Sequence, residues 1–150
     1  MSLKEQLQAD LTTAMKSRDE LTRATLRMVL TAVKDEEVAG DAARELSDAE
    51  VLKVLTREAK KRREAAAAFR SGGADERAER ELAEGGVLDT YLPQQMPDDE
   101  LAALVRDVVA ETGAQGPAAM GQVMKAVGPR VAGRAEGGRV AAAVRAALAG

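Results

Sequence analysis

The side chains best suited to binding in this chain are the cations of its last third. Lys125, Arg130, Arg134, Arg139 and Arg145 stand against Glu136 alone over residues 115–150, a local charge of +4. An arginine fork matches phosphate oxygens two at a time, and a lysine offers a compact point charge. Lys125 closes the run Met120-Gly121-Gln122-Val123-Met124-Lys125. Arg134 lies in Gly133-Arg134-Ala135-Glu136-Gly137-Gly138, and Arg139 follows directly. A glycine-containing helix start ringed by such cations would cradle a phosphate group. Lys125, Arg130, Arg134 and Arg139 are therefore the candidate binding residues. They cannot be unpaired core, because uncompensated charge is too costly to bury. Met120 and Met124, spaced i and i+4, read instead as core.

Covalent chemistry finds little material. The chain contains no Cys and no His. That excludes disulfides, zinc sites built on thiolate or imidazole, and Ser-His or Cys-His nucleophilic machinery. Neither G-x-x-x-x-G-K-[ST] nor G-x-G-x-x-G occurs, so the usual nucleotide cradles are missing. Carboxylates alone can hold Mg²⁺, but these acids fall at helical spacing on polar faces. The expectation is no catalytic residue, no cofactor and no metal. Phe69 and Tyr91 are the two aromatics, both at expected core positions, which leaves no platform for stacking bases.

The elements that would carry these residues are helices. Ala, Leu, Glu, Lys and Arg dominate, and no bounded alternating run reads as a strand. Ser2 with Glu5 forms a capping box, and Leu3, Leu7, Leu11 and Ala14/Met15 carry a first helix to about Ser17. Asp19 caps a second, striped by Leu26, Val29, Leu30 and Val33 and ending near Val38. Ser47 with Glu50 opens a long third helix on Val51, Leu52, Leu55, Ala59, Ala66 and Phe69, stopped by Ser71-Gly72-Gly73. A fourth covers about Ala74 to Leu92, with Ala78, Leu82, Leu88 and Tyr91 inward and a kink expected at Gly85-Gly86. Pro93 and Pro97 then forbid a continuous helix.

Beyond them Asp98-Asp99-Glu100 place negative charge at a helix start, where the macrodipole favours it. Leu101, Leu104, Val105, Val108 and Val109 give that fifth helix a clear apolar face. Gly116-Pro117 opens a sixth, which Gly128-Pro129 should end or kink, and Val140, Val144 and Leu148 line a seventh. The fold class is all-α. A four-helix N-terminal domain, residues 1–92, precedes a proline linker, 93–97, and a three-helix domain, 98–150.

Charge adds detail. The chain carries a net charge of −3, with 16 Lys/Arg against 19 Asp/Glu in residues 1–97. The most basic run, Lys53, Arg57 and Lys60-Lys61-Arg62-Arg63, lies on helix three opposite the acidic helix four. A mutually screened pair of antiparallel helices follows, or else a partner-binding face that could track a phosphate backbone or offer its charge to a protein. No apolar run reaches the roughly 18–20 residues that span a bilayer, and Met1-Ser2-Leu3-Lys4 does not open a signal peptide. The expected address is the cytoplasm, with no membrane partner.

Several motifs together resemble the YqeY family. They are Leu26-Arg27-Met28-Val29-Leu30-x-Ala32-Val33-Lys34, Lys61-Arg62-Arg63-Glu64-x4-Phe69-x2-Gly72-Gly73, Tyr91-Leu92-Pro93 and Met120-Gly121-x-Val123-Met124-Lys125. Gly133-Arg134-Ala135-Glu136-Gly137 is similar to the family's Gly-Arg-Ala-Asp-Gly loop, with Glu for Asp. Ala74 departs from the family's usual Arg, and Ala118-Ala119 replace a more polar approach to Met120. The family is in turn similar to the C-terminal tail of the B subunit of glutamine-dependent aminoacyl-tRNA amidotransferases. The resemblance implies a helical-hairpin domain, a small three-helix domain, and tRNA or aminoacyl-tRNA as ligand of an accessory protein without its own catalytic centre. Two alternatives stand beside it. One is a protein-interaction adaptor; the other is a carbon–nitrogen ligase with glutamine as amido-N-donor.

Overall fold

A computed structural model of the chain describes residues 1–149. Seven α-helices and one short 3₁₀ turn make up its regular structure among those residues. They are α1 (Leu3–Ser17), α2 (Glu20–Glu37), α3 (Asp48–Ser71), α4 (Asp75–Asp89), α5 (Asp98–Thr112), α6 (Met120–Val131) and α7 (Gly137–Ala149). The chain divides into two compact units, Met1–Leu92 and Pro93–Gly150.

In the larger unit each helix start is set by its cap. Ser2 Oγ accepts from the Glu5 N–H at 3.1 Å while Glu5 accepts from the Ser2 N–H, and Ser47 and Glu50 repeat the arrangement at α3. Asp19 accepts from both the N–H and the hydroxyl of Thr22, which holds its carboxyl below the usual range. The core brings together Leu7, Leu26, Val29, Val33, Val51, Val54, Leu55, Ala59 and Leu88.

Two inward positions differ from the pattern read in sequence. Leu82 stays 40% exposed, and Gly85 is buried in its place. At Gly85 an added Cβ would sit 3.6 Å from Arg62 Cβ, an ordinary contact distance, so α4 packs against α3 at this buried position. The helix continues through Gly85-Gly86, where a kink or weak turn was expected. The basic and acidic helices do face each other: Arg62 meets Glu81 at 3.3 Å and Glu84 at 3.6 Å, and Arg70 meets Glu79 at 2.6 Å.

The smaller unit packs α5, α6 and α7 around Leu101, Val105, Val108, Val123, Val127, Val131, Val140 and Val144. The proline segment 93–97 groups with this unit. Met96 is buried in its core, and the Met96 N–H donates to Arg134 O at 2.7 Å. Helix α6 also runs through Gly128-Pro129 and ends only at Ala132, a left-handed residue. Pro129 removes the N–H that would reach the carbonyl of Lys125 four residues back. Lys125 is exposed, so water can satisfy that carbonyl. Among the described residues no helix is long and apolar enough to cross a membrane.

Candidate functional site

The four candidate cations hang on the end of α6, the loop after it and the first turn of α7. Lys125 lies two residues from both Val123 and Val127, which are fully buried, so helical periodicity points it away from the core. It is exposed and makes no ion pair among the described residues. Arg130 donates to Glu111 in the last turn of α5 at 3.0 Å. Arg134 forks onto Glu100 in the first turn of α5, at 3.0 and 3.4 Å, and its Nε donates to Gln94 O at 2.9 Å. Arg139 donates to Met96 O at 2.6 Å, Asp98 at 2.8 Å and Gln95 at 3.4 Å.

Arg134 and Arg139 thus act as straps. They hold the backbone of 94–96 and the acidic start of α5 to the turn between α6 and α7. Arg130 works at the other end of α5. Glu100 and Glu111 are eleven residues apart, roughly 16 Å along a helix axis. Arg130 is therefore set about 16 Å from Arg134 along α5, and three of the four already hold a carboxylate. The sign of this was present in the charges: the +4 of residues 115–150 follows a −4 over 98–114, and the two segments neutralise each other.

Sequence reasoning passed over a second set of cations, on the larger unit. Lys16 and Arg18 close α1, and Arg23, Arg27 and Lys34 follow on α2. Arg23 pairs with Glu20 one turn earlier, while its buried Nε finds no partner. Arg27 contacts the sulfur of Met15 at 3.9 Å and makes no ion pair among the described residues, and Met15 is 48% exposed. Lys16, Arg18 and Lys34 make no ion pair among the described residues, although the charge of Lys34 reaches Glu37.

Other polar groups of this unit tie its helices together. Lys4 meets both oxygens of Glu37 at 2.9 and 3.0 Å, and the Leu46 N–H adds 3.1 Å. These bonds, Lys4 first, hold the Glu37 carboxyl below its usual range. Arg44 and then Ser47 pull Glu50 down to about 2. The Tyr91 hydroxyl donates to Asp10 and ties the end of α4 to α1; burial first, then Asp10, pushes its ionisation well above the usual range. Phe69 lies under Arg77, with 5.7 Å from guanidinium to ring centre, so it is occupied within the α3–α4 hairpin. No group of three or more metal-ligating side chains occurs among the described residues.

Similarity to known proteins agrees with the architecture. The protein named "Altered inheritance of mitochondria protein 41, mitochondrial", from Meyerozyma guilliermondii, is 32% identical over 91 residues. That alignment spans 61% of this chain and 46% of the relative, so the chain matches less than half of that protein's length. The family model described as YqeY, Yqey-like protein, matches residues 4–148, and this chain belongs to the YqeY family.

Proposed function

We propose that the chain is an accessory protein that binds tRNA or aminoacyl-tRNA and has no catalytic centre of its own. The observation that carries this reading is family membership over 4–148, joined to the likeness of its small unit to the amidotransferase tail. Of the candidate residues, Lys125 is the one that is exposed and outward on α6 without an ion pair. It is the direct phosphate contact in this reading. Arg130, Arg134 and Arg139 would have to exchange a carboxylate for a phosphate. Partly exposed pairs of this kind contribute only about 0–1 kcal/mol, so exchange is affordable. The address in this reading is cytoplasmic, whereas the relative's name places that protein in mitochondria.

Titrating the full chain with bulk tRNA at about 50 and 200 mM salt tests the reading. Contacts to a phosphate backbone release counterions, so affinity must fall as salt rises. Absence of binding at the lower salt, or affinity indifferent to salt, contradicts it.

A protein-interaction adaptor is the second reading, favoured by one specific observation. Arg130, Arg134 and Arg139 are already matched by Glu111, Glu100 and Asp98. A stoichiometric protein partner recovered with the chain, free of RNA and insensitive to nuclease, decides for the adaptor.

A further inference from the structure

We infer that the principal polyanion contact of this chain is the cationic stripe where α1 turns into α2, formed by Lys16, Arg18, Arg27 and Lys34 with Arg23 beside them. The inference rests on the nucleic-acid reading above and moves its main contact onto the larger unit. Arg23, Arg27 and Lys34 are spaced i, i+4 and i+11, which returns each to nearly the same side of α2. They span eleven residues, about 16 Å of helix. Contact of Arg27 with Met15 sets this side along the end of α1, so Lys16 and Arg18 extend the stripe across the turn.

Two features set it apart from the cations of the small unit. First, the acids here are used elsewhere: Asp19 is the α2 cap, and Glu20 takes Arg23. Arg18, Lys16, Arg27 and Lys34 are left without an ion pair among the described residues. Second, Arg18 holds the left-handed backbone that closes α1, with φ 59° and ψ 34°. Glycine adopts that conformation without strain, and a long side chain does not. Ala132 closes α6 in the same conformation, so the cap fixes this backbone, and Arg18 is thereby held in place beside Lys16 at the end of the stripe.

Chemistry selects the occupant. A helix docking in a groove needs a row of apolar anchor pockets, and among the described residues Met15 and Val38 are the large exposed hydrophobics near this side, too few and too far apart for such a row. Charges repeated along an axis, without aromatic side chains, suit a phosphate backbone contacted independently of sequence.

The test uses the full chain and bulk tRNA over a salt series. Each phosphate-neutralising cation contributes about 0.9 to the slope of log K against log salt on a duplex. Arg27→Glu with Lys34→Glu is expected to weaken binding about tenfold or more at low salt and to flatten the slope by about 2. Arg18→Gly is expected to weaken binding severalfold while leaving the helical content of the chain intact and its melting no lower. Arg145→Glu, in the other unit, serves as the comparison and should change the slope by about 1 or less.

Wild-type affinity and slope in the Arg27/Lys34 variant, with helical content unchanged, overturn the stripe while leaving tRNA binding standing. No tRNA binding by the wild-type chain at low salt overturns both. Polyglutamate bound as tightly as tRNA overturns the nucleic-acid assignment in favour of an acidic protein.

Discussion

Arg18 is held against its backbone preference, whereas Glu50 is held in its charged form. Arg18 keeps a positive φ between α1 and α2, where its N–H donates back to Ala14 and Met15 and the Asp19 N–H also reaches Ala14 O. These bonds complete the helix end, and glycine would make them without the Cβ clash. Arg18→Gly should therefore raise unfolding free energy by about 1 kcal/mol, less whatever glycine adds to the freedom of the unfolded chain. Chemical denaturation measures it; a clear loss of stability would mean that the Arg18 side chain carries structure. Glu50 and Glu37 are carboxylates stabilised in their charged form, Glu50 by Arg44 and Ser47 and Glu37 by Lys4 and Leu46. Their carboxyls ionise more easily folded than unfolded. The stability they contribute is complete above the ordinary value of 4.5 and is lost as pH falls towards the folded value, about 2 for Glu50. Melting temperature should be level above about pH 5 and decline between pH 4.5 and 2, and Glu50→Gln should decline less steeply. An identical decline in the variant would remove Glu50 as a cause.

At the scale of the element, helix starts were the most legible feature of the sequence. Ser2, Asp19 and Ser47 each cap the helix expected of them, because capping is a local exchange between a side chain and the next turn. Helix interruptions were less legible. Gly85-Gly86 and Gly128-Pro129 carry the residues that break isolated helices, yet α4 and α6 continue through both. Packing overrides propensity there: Gly85 is buried against Arg62, and Pro129 falls in the last turn of α6. Gly86 has open space around it, so a methyl group adds no clash. Gly86→Ala should stabilise the larger unit by about 1 kcal/mol, the helix-propensity difference. A loss measured by denaturation would show that α4 bends there in solution.

The strap over 94–98 was illegible for a different reason. Pro93 and Pro97 announced an extended segment, but nothing local announced that Arg134 and Arg139, some forty residues later, would hold it. Met96→Ala removes the side chain that the strap presses into the core, and a cost of about 2–5 kcal/mol is expected in the small unit. A variant as stable as wild type would mean that 93–97 is loose after all.

For the whole molecule, charge distribution proved easier to count than to interpret. A strong local excess of cations in residues 115–150 suggested a phosphate cradle at Lys125, Arg130, Arg134 and Arg139. Folding sets α5 acids against three of them. The α1–α2 region, balanced against many acids in a count over residues 1–97, keeps several cations without a partner. What decides is whether a carboxylate lies within reach in space, and net charge over a window of sequence does not carry that information. The function proposed for this YqeY-family chain is binding of a polyanion through exposed, unpaired cations. Hydrogen–deuterium exchange of the full chain with and without tRNA tests that claim most directly. The account predicts slowed exchange over residues 15–34 and around Lys125, with the α3–α4 hairpin tip unchanged. Exchange that tRNA leaves unaltered everywhere, or protection confined to the hairpin tip, would contradict it.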